Sequence, residues 1–112
     1  MARPRFEVRL TQGAEEDLES LYDYLAGHRG PDAAQALLDS LVAKAAALER
    51  FPERGGVPEE LDRLGIRTFR QLVLPPYRIV YRVISQQAVV LLIADGRREM
   101  QALLERRLLG PR

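Results

Sequence analysis

Apolar and polar positions alternate over Phe6-Glu7-Val8-Arg9-Leu10, the period of a strand with one face buried. The period then lengthens: Ala14, Leu18, Leu21, Tyr22 and Leu25 fall along one stripe of a helix. Thr11 stands where an N-cap is needed, and Glu15, Glu16 and Asp17 set negative charge against the positive end of the helix dipole. The stripe predicts a helix that stops near Gly27. A short link, Gly27-His28-Arg29-Gly30-Pro31, follows, with the proline suited to the first position of a new helix. Ala34, Leu37, Leu38, Leu41, Ala45 and Leu48 mark the second stripe, which Pro52 closes. The stretch Ala43–Ala47 is small enough for the partner helix to approach closely. Two helices on so short a link must lie antiparallel, as an αα-hairpin.

Residues 53–65 read as loop, with Gly55, Gly56 and Pro58 and one helical turn through Glu59-Glu60-Leu61. The pattern then predicts strands over Ile66–Leu74, Tyr77–Ile84 and Ala88–Ala94. Ser85-Gln86-Gln87 is short enough for a hairpin, whereas Pro75-Pro76 predicts an irregular bend. Tyr77, Ile79, Tyr81 and Val83 share one face of their strand, and Arg78 and Arg82 share the other. The two tyrosines therefore belong in the core. Ala88–Ala94 is apolar on both faces and should be central. A last helix is expected from about Arg98 to Leu109, with Leu103, Leu104 and Leu108 on one side. The order β-α-α-β-β-β-α predicts an α+β fold, a mainly antiparallel sheet with the helical hairpin on one face. The other face has little left to cover it, which makes it a candidate for binding another chain.

At 112 residues the chain fits a single domain, taken as residues 1–112. It has no cysteine, so no disulfide framework and no thiolate zinc site are available. Met1-Ala2-Arg3-Pro4-Arg5-Phe6-Glu7 lacks the apolar run of a signal peptide, and no segment approaches the ~20 residues of a membrane helix. A cytoplasmic protein is expected. The net charge of +1 conceals a division. Residues 1–60 carry seven Lys+Arg against twelve Asp+Glu, and residues 61–112 carry ten against four. A basic half of this kind can mark a surface for nucleic acid or an acidic partner. The same division follows if helices simply collect carboxylates and strands collect arginine.

Enzyme chemistry is thinly represented. The one histidine, His28, lies in a glycine-flanked loop with no second ligand or triad pattern around it. No GxxxxGK[ST] loop and no GxGxxG after a strand occurs. Neither a cofactor nor a metal is expected. What remains is Arg70, Arg78, Arg82, Arg97 and Arg98, on or just after strands that should be neighbours. Such a set repels itself unless it meets phosphates, carboxylates or water. It also serves to protect exposed strand edges from aggregation.

Four segments, in this order and spacing, give the chain its resemblance to a known family. They are Ala14-Glu15-Glu16-Asp17-Leu18 with Tyr24-Leu25, and Leu48-Glu49-Arg50-Phe51-Pro52. Phe69-Arg70-Gln71-Leu72 with Tyr77-Arg78-Ile79-Val80-Tyr81 comes next, and Asp95-Gly96-Arg97-Arg98 before Leu103-Leu104 is the last. Over roughly residues 6–109 the chain resembles the RelE/ParE superfamily of toxins from type II toxin–antitoxin systems, and its long helical hairpin is similar to the ParE branch. The resemblance implies a toxin neutralised by a separate ParD-like antitoxin. It also implies one of two targets: DNA gyrase, which ParE-like members poison, or ribosome-bound mRNA, which RelE-like members cut.

By position Arg78 and Arg98 match active-site arginines of the RelE branch, and they are the catalytic candidates if the chain is a ribonuclease. The tyrosine of that branch would fall at about Leu104, which exchanges no proton, and its lysines are absent; Lys44 is the only one. Arginine, with a pKa above about 12, is a poor proton carrier. The resemblance therefore implies gyrase poisoning first, with mRNA cleavage or a non-toxic antitoxin-binding module as the alternatives. Arg70, Arg78, Arg82, Arg97 and Arg98 are the partner-binding candidates, and an acidic, amphipathic antitoxin segment is expected to meet Arg78 and Arg82.

Overall fold

A computed structural model describes residues 5–109; the expectation that Met1-Ala2-Arg3-Pro4 begins no leader lies outside the described residues. The element order is β1 (Glu7–Leu10), α1 (Gln12–Arg29), α2 (Pro31–Ala46), α3 (Glu59–Asp62), β2 (Arg70–Leu74), β3 (Tyr77–Ile84), β4 (Gln87–Asp95) and α4 (Met100–Leu104). A 3₁₀ turn, Ala47–Glu49, extends α2, and wider π-type turns carry α4 on through Leu109. The sheet order is β1-β4-β3-β2, antiparallel except that β1 runs parallel to β4. This is the expected α+β fold.

The Thr11 hydroxyl accepts the Ala14 N–H at 3.2 Å and starts α1. The helix runs through Gly27 and stops at Gly30, whose φ of 91° only glycine adopts at low cost. Gly30 also precedes Pro31, so one residue ends α1 and opens α2. Ala14, Ala34 and Ala45 are buried, but Ala43 and Ala46 are exposed. Of the alanine-rich stretch, then, only part serves close approach, and the rest reflects alanine's helix propensity. The hairpin covers one sheet face through Leu41, Leu48, Leu72, Ile79, Tyr81 and Val90.

Three expectations about the sheet change as well. The strand expected from Ile66 begins only at Arg70, because Ile66 and Phe69 fold over the second face instead of extending the edge. Pro75-Pro76 is a cis peptide inside a tight two-residue connection, with Leu74 still paired to Tyr77. Most important, the second face is not bare. Leu61, Phe69, Val80, Leu92, Ala94, Met100, Leu103 and Leu104 form a second core there, with Ile66, Leu91 and Leu108 against it. The final helix folds back over half of the face because its leucines find Val80, Leu92 and Ala94 there. The half nearer Ser85 stays open, and Ile84 is 43% exposed.

The run Ala88–Ala94 is apolar throughout because it changes phase. Val80 opposes Leu92 while Tyr81 opposes Val90, so Leu91 is an extra residue in a β-bulge. Before the bulge, Ala88 and Val90 face the hairpin; after it, Leu92 and Ala94 face the second core. No helix among the described residues is long and apolar enough to cross a membrane.

Candidate functional site

Two motifs meet at the end of the sheet. Gly96 N–H donates to Pro76 O at 2.7 Å, laying the Asp95-Gly96-Arg97-Arg98 turn over the start of β3. A Cβ on Gly96 would lie 2.7 Å from Cδ of Arg78. The glycine is there for space, so that the arginine stem passes beneath it. The Arg78 guanidinium then reaches α3, where Nη1 and Nη2 donate to the two oxygens of Glu60 at 2.8 and 2.7 Å, and Nε donates to Gln71 Oε1 at 2.7 Å. The side chains of Arg78 and Glu60 are only 13% and 15% exposed. The hydrogen bonds from Arg78 hold the Glu60 carboxyl below the usual glutamate range, against the opposing effect of burial.

The other candidate arginines are distributed around this pair. Arg97 curls back on Asp95, with Nη2 2.6 Å from Oδ2, and it is otherwise exposed. Its hydrogen bond lowers the Asp95 pKa, again against burial, and raises its own. Tyr24 is exposed on α1. The ring of His28 stacks on Tyr24 at 4.1 Å, and His28 Nδ1 donates to Tyr24 O at 2.6 Å. Arg98 is exposed, and its backbone N–H donates to Asp95 O.

Arg82 lies on the same face as Arg78, over the Phe69 ring at 5.7 Å, and its Nε is buried with no hydrogen-bond partner among the described residues. Arg70 is on the opposite face. Its register partner is the core residue Tyr81, and its Nη1 donates to the carbonyls of Glu53 and Gly55. Beside it the Tyr81 hydroxyl donates to Pro52 O at 2.7 Å and accepts from Gly55 N–H at 3.0 Å. Burial pushes this phenol's pKa up, so it stays protonated. The structure thus gathers Arg78, Arg97 and Arg98 around one turn, sets Arg82 further along the same face, and sends Arg70 elsewhere.

Three residues not singled out as site candidates complete the surroundings. Glu60 is one. Asp17, read from the sequence as a helix-dipole charge, instead accepts Ile93 N–H at 2.9 Å and a two-pronged contact from Arg107 at 2.8 and 3.0 Å. Arg107 also donates to Leu91 O. The pair thus satisfies backbone groups on β4 just past the last β1 pairing, Leu10 with Val90. The only signal for Asp17 was its place in the Ala14–Leu18 segment; nothing local marks Glu60 or Arg107.

Chemically the region offers cationic hydrogen-bond donors, most of them already engaged. Leu104, where a catalytic tyrosine would be sought, is fully buried. No group of three metal-ligating side chains occurs among the described residues.

Comparison with known proteins agrees with this geometry. Residues 8–100 match the family described as ParE toxin of type II toxin-antitoxin system, parDE. The chain is 30% identical over 94 residues to Toxin ParE3 of Caulobacter vibrioides, covering 84% of this chain and 90% of that protein. Its fold is similar to a structure of the chromosomal ParDE system of P. aeruginosa, with TM-score 0.70 and 23% identity over 83% of this chain and 98% of that one. It is also similar to the RelBE2 toxin–antitoxin complex of Mycobacterium tuberculosis, with TM-score 0.58 and 23% identity over 81% and 98% of the two chains. A free mutant of the E. coli toxin RelE gives TM-score 0.60 at 14% identity, over 94% and 99%.

Proposed function

We propose, from the premise that this chain belongs to the ParE toxin family of type II toxin–antitoxin systems, that it poisons DNA gyrase in the cytoplasm and is neutralised by a ParD-like antitoxin. The observation that carries the gyrase reading is the engagement of Arg78. Its guanidinium is held by Glu60 in a largely buried, two-pronged pair. Gripping the phosphate of a scissile RNA would require breaking that pair and leaving a carboxylate without its partner, which is strongly unfavourable. Leu104 adds no proton donor. Ribonucleolysis needs both an acid and a base, and general acid–base catalysis contributes about 10²–10⁴-fold. Recognition of another protein needs neither.

The test is a supercoiling assay with purified gyrase, scored also for cleaved DNA held by the enzyme. Inhibition with accumulation of cleaved complexes is expected. Full supercoiling activity in the presence of excess toxin refutes the gyrase reading.

One observation favours ribosome-dependent mRNA cleavage as a second reading. Tyr24 and His28 stack together in the open on α1. A phenol beside an imidazole is a pair of the kind that exchanges protons in ribonucleolysis. A ribosome-containing cleavage assay separates the two: intact messenger removes this option. Cleavage lost in Tyr24→Phe and His28→Gln would support it.

A further inference from the structure

The open half of the second sheet face carries two guanidiniums that have no ion pair among the described residues. In the register of the sheet, Arg9 pairs with Val89, and Val89 with Arg82. These three side chains therefore share a row, and Arg82 ends it against Phe69. Arg9 and Arg82 are two strand spacings apart, about 10 Å. Among the described residues neither has a carboxylate within ion-pair distance, whereas Arg78, further along β3, is satisfied by Glu60. Ile84 is exposed beside the row, so the charges are bordered by aliphatic surface. A buried guanidinium N–H with no acceptor is costly, and Arg82 Nε is one. Its planar group is nonetheless backed by an aromatic ring, an arrangement that leaves the edges of the fork for a carboxylate.

We infer that Arg82, with Arg9 beside it, is the anchor for a carboxylate-bearing amphipathic segment of the antitoxin, and that Arg78 is not. This rests on the reading of the chain as an antitoxin-neutralised toxin and assigns that partner its contact. A partner carboxylate that draws the Arg82 fork outward gives Nε the acceptor it lacks, and aliphatic side chains of the same segment cover Val89 and Ile84. Arg78 has no such incentive, because taking a new partner means giving up Glu60.

The probe is the purified product of the reading frame adjacent to this one, with affinity measured at low and high salt. Arg82→Gln is expected to weaken binding by about 30-fold or more, the usual consequence of truncating one side of a desolvated charge pair. Arg9→Gln, at an exposed position that the fold does not depend on, is expected to weaken it a few-fold and flatten the salt dependence. In the unaltered protein, the Arg82 Nε–H resonance should shift on addition of the probe while that of Arg78 stays in place. Binding by the unaltered protein that neither variant weakens, with an unmoved Arg82 resonance, overturns the inference and leaves the toxin reading standing. Failure of the unaltered protein to bind overturns both. Variants that keep the probe but lose gyrase would assign the row to the target, and would also overturn it.

Discussion

Replacing Glu60 by glutamine keeps the shape of the side chain and removes its charge, which makes it the most direct probe of the pair on which the functional reading turns. In the native protein two charge-assisted hydrogen bonds of 2.8 and 2.7 Å join Glu60 to Arg78, with about one seventh of each side chain exposed. Breaking a fully buried pair costs about 3–5 kcal/mol. The residual exposure and the one acceptor that glutamine retains bring the expectation down to about 2 kcal/mol, toward the lower end of the cost of unpairing a charged group. For a domain of this size that is a fall in Tm of roughly 10 °C. The effect must also depend on pH. Because the folded carboxyl titrates below the ordinary value of 4.5, its contribution is complete above that value and is lost as pH falls through the lower, folded pKa. Urea unfolding of the two proteins at neutral pH and through the acid range measures both quantities. The difference between them should be largest at neutral pH and shrink toward zero in acid. A difference under about 0.5 kcal/mol at neutral pH, the size expected of an exposed pair, or one that does not change with pH, would show that the pair is not what holds Arg78.

Three further outcomes follow from the packing. Gly55→Ala should be strongly destabilising, since its Cβ would lie 2.5 Å from the Gln71 backbone oxygen, and thermal unfolding should show a loss of at least about 2 kcal/mol. Tyr81→Phe removes the hydroxyl bridging Pro52 O and Gly55 N–H, so a loss of about 1–3 kcal/mol is expected by urea unfolding. Arg107→Ala frees Asp17 and Leu91 O; hydrogen exchange should quicken over residues 100–109 and at Ile93, while β3 keeps its protection.

Much of this architecture is visible in the one-dimensional pattern, and for a definite reason. Thr11, Gly30 and Pro31 act through the backbone of their own turn, so a helical hairpin could be read where it stands. Strand β3 showed its two faces because alternate residues must lie on opposite sides, which put Tyr81 inside and Arg78 and Arg82 together. The candidate surface was legible only as a set of arginines. Periodicity reports that a face is charged; it does not report which charges are already matched. Arg78 and Arg82 look alike in sequence, four residues apart on one strand, yet one holds Glu60 and the other has an orphaned N–H.

From its order of residues alone the chain determined its helices, most of its strands, the hairpin and the inward face of β3, because each depends on contacts within a few residues or on a repeating step. Tertiary structure decided the rest. The bulge at Leu91, the closing of half the second face by Leu103 and Leu104, and the clasp of Asp17 by Arg107 join positions far apart in the chain. Pairings of that kind depend on where packed elements happen to bring their side chains, and no local pattern of burial encodes the identity of a distant partner.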